Sequence, residues 1–210
     1  MGVDKMTQEF TLETKHTNFI GCWFLEDLSV CDDLIDFFKN NKNLHRQGVV
    51  GNVIHDIEKG DTMEEKIDHN IKHSIDLPFY PQDNYQPWVK YHKELFKVID
   101  LYKEKYYWCD QFGTYAIVEG TNVQFYPPGG GYKKWHTERA VAGSDRHLVF
   151  MTYLNDVNDE GQTEFYHQEI GIQPKKGLTV IWPADWTHTH RGVPSMTEEK
   201  YIITGWLNYV

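Results

Sequence analysis

No apolar run approaches the ~18 residues that a membrane-spanning helix needs. Basic charge is also short: Lys and Arg total 21 against 31 Asp and Glu, a formal charge of −10, with no basic tract. Such a chain is poorly suited to gripping a phosphate backbone or an anionic bilayer. Cysteine is scarce. Cys22, Cys31 and Cys109 are odd in number and far apart, which argues against a disulfide framework and a paired zinc knuckle, and they read as small hydrophobes in a reducing compartment. The opening MGVDKMTQEF lacks the basic and apolar stretches of a secretory signal, and Met6 stands where a myristoylation signal carries Ser or Thr. These absences give the expectation of a cytoplasmic protein with neither nucleic acid nor membrane as partner.

What the sequence does have is aromatic bulk. Seven Trp, 13 Tyr and 11 Phe in 210 residues, with 40% hydrophobic residues overall, are ample for a sizeable core. No internal repeat or low-complexity linker divides the chain, so a single domain over 1–210 is expected.

Two segments carry helical periodicity. Val30, Leu34, Phe37 and Phe38 fall on one face after Ser29 and Asp32, which resemble a capping box. A second helix is expected from Pro87 to about Tyr106, with Trp88, Tyr91, Leu95, Ile99 and Tyr102 on its inner stripe. Residues 44–82 hold short apolar pieces without a clear period. From about residue 113 the texture becomes β-rich: 114–119, 122–126, 147–154, 163–166, 178–182 and 200–207, with weaker pieces around 134–138, 168–173 and 187–191. Spacing this close leaves no room for crossover helices, so the sheet should be mainly antiparallel. The expected class is α+β: a jelly roll of about eight strands over 113–210, supported by a helical or mixed region over 1–112.

His136 and Glu138, in WHTERA, sit two residues apart and would share one face of a strand. An imidazole beside a carboxylate makes two corners of a divalent-metal site. A second, distant histidine would complete a facial triad with three open positions. Taken alone, the pair is equally a surface His beside a solvated Glu. His188 and His190 precede a turn-rich loop and then the strand opened by Lys200. Alternation there puts Lys200, Ile202, Thr204 and Trp206 on one face, and Tyr201, Ile203 and Leu207 on the other. A lysine aligned with apolar inward positions either meets an anion or reaches water at the strand end.

Jointly these pieces resemble the Fe(II)/2-oxoglutarate-dependent dioxygenases, specifically their prolyl 4-hydroxylase-like branch. The resemblance rests on Tyr126 ten residues before His136, Tyr153-Leu154-Asn155, and Gly161-Gln162-Thr163-Glu164-Phe165. It continues with Pro174 and Gly177 before Trp182, Pro194 four residues after His190, and Lys200 ten after it. The match runs in order over about 113–208.

The resemblance implies that His136, Glu138 and His190 form the metal triad, His190 being preferred to His188 because it alone has both the proline and the lysine spacing. It implies that Lys200 pairs with the distal carboxylate of 2-oxoglutarate, and that Tyr126, Tyr153 and Thr204 line that pocket. Trp206 reads as core, and Arg146 and His147 as a solvated strand end. Iron and 2-oxoglutarate, with ascorbate as accompanying reductant, are the implied cofactors. The implied reaction hydroxylates a C–H bond while 2-oxoglutarate and dioxygen become succinate and CO2. A peptidyl or free prolyl residue is the favoured substrate. Glu138 departs from the family's commoner Asp, but because a carboxylate is retained a halogenase is disfavoured. Residues 127–132, rich in glycine, are read as a lid or a plain connection. Asp156–Glu160 reads as a solvated turn. A non-catalytic jelly-roll binding module and a zinc hydrolase are the rival readings, and a nucleic-acid demethylase fits the charge poorly.

Overall fold

A stripe at helical spacing, with Pro87 in its first turn, predicts the longer helix, and the computed structural model has it at Gln86–Lys105. The structure describes residues 18–54, 58–59, 62–140 and 143–210; the opening residues read above for targeting signals lie outside them. In chain order the elements are β1 (Gly21–Phe24), α1 (Ser29–Asn40), β2 (Arg46–Gln47), β3 (Val50–Ile54), β4 (Thr62–Lys66), β5 (Lys72–His73), β6 (Ile75–Phe79) and α2 (Gln86–Lys105). There follow β7 (Tyr115–Ala116), β8 (Thr121–Tyr126), β9 (Gly131–Tyr132), β10 (Arg146–Tyr153), β11 (Thr163–Phe165), β12 (Ile170–Ile172), β13 (Leu178–Pro183), β14 (His190–Gly192) and β15 (Lys200–Tyr209). Among the described residues no helix is long and apolar enough to cross a membrane.

The main sheet runs β1-β13-β10-β15-β8-β6-β2, with β7 also paired to β15, and every pairing in it is antiparallel. A smaller sheet, β12-β11-β14, is antiparallel as well. This is the jelly-roll arrangement expected from the strand spacing. The first half of the chain adds more than helices, because β1, β2 and β6 belong to the main sheet. Residues 44–82 conceal five strands of two to five residues.

Strand alternation sorts the core into two layers. Leu148 and Phe150 of β10 and Tyr201, Ile203 and Leu207 of β15 face the helices, where Leu34 and Phe38 of α1 and Trp88, Tyr91, Leu95, Ile99 and Tyr102 of α2 cover them. Val149, Met151 and Tyr153, with Ile202 and Trp206, face the smaller sheet and pack with Phe165, Leu178 and Trp182. One strand thus serves both cores because successive side chains point to opposite faces. A buried hydroxyl chain crosses the helix–sheet boundary: Tyr91 OH lies 2.9 Å from Thr152 Oγ1, itself 2.7 Å from Thr179 Oγ1.

Two local expectations need correction. Ser29 does not cap α1, since Leu28 holds that position and no side chain caps it; the Ser29 N–H instead donates to Asp27 Oδ1 at 2.9 Å. Nor is 134–138 a strand. It makes one bridge, His136 opposite His190, after which the chain turns so that the N–H groups of Glu138 and Arg139 both donate to Ala184 O.

Leu95, fully buried, is expected to cost about 2–5 kcal/mol of stability when changed to Ala, because a cavity remains under the sheet. Tyr91→Phe should cost about 1 kcal/mol, since Thr152 and Thr179 still satisfy each other. Urea unfolding of the two variants checks this order, and equal costs would contradict the packing described.

Candidate metal centre

His136 and His190 are joined through their backbones. The His136 N–H donates to His190 O at 3.0 Å and the His190 N–H to His136 O at 2.9 Å. This bridge holds the ring centroids 4.3 Å apart. His136 stacks on Tyr132 at 3.7 Å, while His190 lies against Phe165 and Trp182. Each Nδ1 donates to a backbone carbonyl: His136 to Lys134 O at 3.0 Å and His190 to His188 O at 2.9 Å. A carbonyl only accepts, so Nδ1 carries the proton and the Nε2 lone pair of each ring is free for a metal.

Glu138 completes the group. Its Oε1 lies 3.5 Å from His136 Nε2 and 3.4 Å from His190 Nε2. Burial opposes ionisation of Glu138, but its Oε2 accepts from the Arg146 guanidinium and the Trp206 indole N–H, which favours the carboxylate. Burial and the neighbouring His190 lower His136, which keeps its imidazole neutral. Two neutral nitrogens and a carboxylate oxygen, spaced about as far apart as donors that share an ion at roughly 2.1 Å, fit a divalent transition metal.

The triad opens on a cavity of about 620 Å³ that also reaches Tyr126, Tyr153, Thr204 and Lys200. Lys200 is 4% exposed. Its ammonium donates to Gly161 O at 2.8 Å and Val193 O at 3.2 Å, and lies 5.2 Å from the centre of the Tyr126 ring. Gly161, at φ +77°, takes the left-handed turn that aims its carbonyl at this ammonium. No carboxylate pairs with Lys200 among the described residues. Burial alone therefore pulls its pKa from 10.5 to about 8, a bias of roughly 3 kcal/mol against the charged form. A bound anion would remove that bias. The cavity thus has a metal-donor set at one place and an unneutralised cation at another.

The remaining expected residues sort as follows. Tyr153 lines the cavity, with its OH donating to Ile172 O at 3.0 Å and lying 2.7 Å from the Thr163 hydroxyl. Tyr126 OH donates to Gln124 Oε1 at 2.7 Å, and Thr204 Oγ1 to Phe150 O at 3.0 Å. His188 stands apart from the triad, its Nε2 2.6 Å from Asn18 O. His147 also lies away, against Cys109 O, Tyr115 and Tyr209. Arg146 is no free strand end, because it lines the cavity and reaches Glu138. Trp206 likewise does more than pack, since its indole N–H donates to Glu138 Oε2 at 3.1 Å. The glycine-rich run 127–132 is a tied turn: the Gly129 N–H donates to Ser195 O, and β9 pairs with β5.

Residues 121–208 match the family model of the 2OG-Fe(II) oxygenase superfamily. Comparison with curated proteins returns no significant match. Solved structures with a similar fold include a Pseudomonas putida prolyl-4-hydroxylase, 15% identical with TM-score 0.63, over 92% of this chain and 94% of that one. A viral collagen prolyl hydroxylase from Paramecium bursaria Chlorella virus-1, in a 2OG complex, is 20% identical with TM-score 0.64, over 94% of this chain and all of the other. A Trichoplax adhaerens prolyl hydroxylase, in complex with a hypoxia inducible factor oxygen degradation domain peptide fragment, is 19% identical with TM-score 0.66, over 92% and 84%. At these identities the likeness concerns the fold.

Anaerobic addition of Mn(II) is expected to raise the melting temperature of the wild-type protein. His188→Ala should keep that rise, whereas His190→Ala should abolish it. A metal-induced rise surviving in His190→Ala would contradict the donor set.

Proposed function

We propose, from the match of residues 121–208 to the family model of the 2OG-Fe(II) oxygenase superfamily, that this chain is a dioxygenase that hydroxylates a C–H bond of a prolyl residue in a peptide or protein. In this reading 2-oxoglutarate and dioxygen are cosubstrates, succinate and CO2 are co-products, and ascorbate is an accompanying reductant. The observation that carries it is the shared cavity of His136, Glu138, His190 and the unpaired Lys200. A zinc hydrolase or a non-catalytic module accounts for the histidines but gives a buried, uncompensated ammonium no task. The prolyl assignment draws support from the fold neighbours, one crystallised with 2OG and one with a peptide.

His136 and His190 would hold the metal through Nε2, and Glu138 through Oε1. Bound iron supplies the redox chemistry that couples dioxygen to the decarboxylation of 2-oxoglutarate and to C–H oxidation. The protein does the rest. Lys200 holds the distal carboxylate by a charge-assisted hydrogen bond, with the Tyr126 ring beside it. Met151, Trp182 and Ile202 form apolar walls that limit water around the reacting centre. The backbone carbonyls behind each Nδ1 keep both rings in the ligating tautomer. The thiols of Cys22, Cys31 and Cys109 are unbridged, which supports a reducing, cytoplasmic setting.

Succinate release that depends on iron and 2-oxoglutarate, with gain of one oxygen atom by a proline-containing peptide, tests the activity. Succinate formed without modification of any prolyl peptide would uphold the dioxygenase and refute the prolyl assignment. The pH dependence follows from Lys200. Its ammonium is the binding form, and a bound carboxylate raises the pKa from its free value of about 8. Affinity for 2-oxoglutarate in the Mn(II)-loaded protein should therefore be flat below about pH 7.5 and fall above 8, by up to roughly tenfold per pH unit. Lys200→Ala should bind weakly at every pH and lose the slope, and equal cosubstrate affinity in this variant would refute its role.

A further inference from the structure

A glutamate in the carboxylate position has one more rotatable bond than an aspartate, and both of its oxygens can swing onto a metal. The carboxylate of Glu138 is restrained. While Oε1 faces the two Nε2 atoms, Oε2 is turned away and accepts the Trp206 indole N–H at 3.1 Å and the Arg146 Nη1–H at 3.4 Å.

The guanidinium is itself fixed on all sides. Nε and Nη2 donate to the two oxygens of Glu119 at 2.9 and 2.7 Å, and Nη1 also donates to Glu138 O at 3.1 Å. Its Cζ lies 3.6 Å from the Trp206 ring centre. Asn208 Nδ2 donates to Glu119 Oε1 at 2.9 Å. The placement has a backbone cause. Between Arg146 and Leu148 the register of β10 against β15 slips by one, and this irregularity sets Arg146 opposite Asn208, beside Trp206. Bulges of this kind re-aim a side chain next to a site.

We propose that Trp206 and Arg146, the latter held by Glu119, are positioning residues that make Glu138 a one-oxygen ligand. The proposal rests on the ligand assignment above. With Oε2 engaged twice, chelation through both oxygens would break a charge-assisted pair and a buried indole hydrogen bond. One-oxygen binding leaves a further metal position open, which matters for a reaction that needs sites for both a chelating keto acid and dioxygen. The longer glutamate suits this chain because its outer oxygen must reach β15 and Arg146 while its inner one meets the histidines. An aspartate would draw the whole carboxylate back toward its own backbone, away from these partners.

The test uses Mn(II) alone, without 2-oxoglutarate or substrate. Trp206→Phe should lower the Mn(II) dissociation constant, because Glu138 then offers two oxygens, and lower the water-proton relaxivity of bound Mn(II), because the freed Oε2 displaces an exchangeable water. Glu119→Gln, which loosens Arg146 from outside the ligand set, should move both readouts in the same direction by less. Glu138→Asp should weaken binding although it retains the carboxylate. Unchanged apo melting temperatures separate these effects from unfolding. Wild-type affinity and relaxivity in both Trp206→Phe and Glu119→Gln would overturn the proposal while leaving the triad intact. Failure of the wild-type protein to bind Mn(II) would overturn the triad and this proposal together.

Discussion

Two hydrogen bonds exchanged between the backbones of His136 and His190 join segments that lie far apart in the chain, and the site follows from that bridge. His190 is anchored because β14 pairs with β11, and His136 is anchored because it pairs with His190. The turn after His136 then sends Glu138 back under Ala184 O, so that its carboxylate meets both rings. Slipping the bridge by one residue would point an imidazole to the other face and dissolve the group. A candidate metal site on three flexible side chains is therefore set by two backbone contacts and two Nδ1–carbonyl contacts.

Besides Lys200, two other cations that line the cavity are neutralised. Lys72, also buried, is paired with Asp76 at 2.6 Å, and Arg146 with Glu119. Among the described residues Lys200 meets backbone carbonyls and the Tyr126 ring but no carboxylate, and burial lowers its pKa. A buried ammonium left this way destabilises the empty protein unless an anion joins it. An anionic ligand in the cavity that Lys200 shares with the triad would lift that penalty.

Much of this was legible in local sequence. The stripe on α2 was readable because a 20-residue helix repeats its period several times. The faces of β15 were readable because ten residues alternate without interruption, which separated Lys200, Ile202, Thr204 and Trp206 from Tyr201, Ile203 and Leu207. The strands within 44–82 were not readable. Two have two residues and β4 is exposed along its whole length, so these three write no buried period into the sequence, and β6, with Leu77 and Phe79 buried, carries Pro78 between them. The supposed strand around His136 failed for a related reason: one bridge is too short to impose a ladder, and the side chains converge through a turn.

Arg146 and Trp206 mark the boundary between the two kinds of information. Alternation tells which face Trp206 occupies, yet not that its indole N–H finds the carboxylate of Glu138. Arg146 reads as a charged strand end until the slip in β10 re-aims it. The sequence by itself determined the residue types, the helix and strand faces and the order of the candidate ligands, because these depend on neighbours within a few residues. Only the tertiary structure decided which donors meet, which cation stays unpaired and which groups hold Glu138, because register between distant strands is settled by hydrogen bonds and packing that no local window contains.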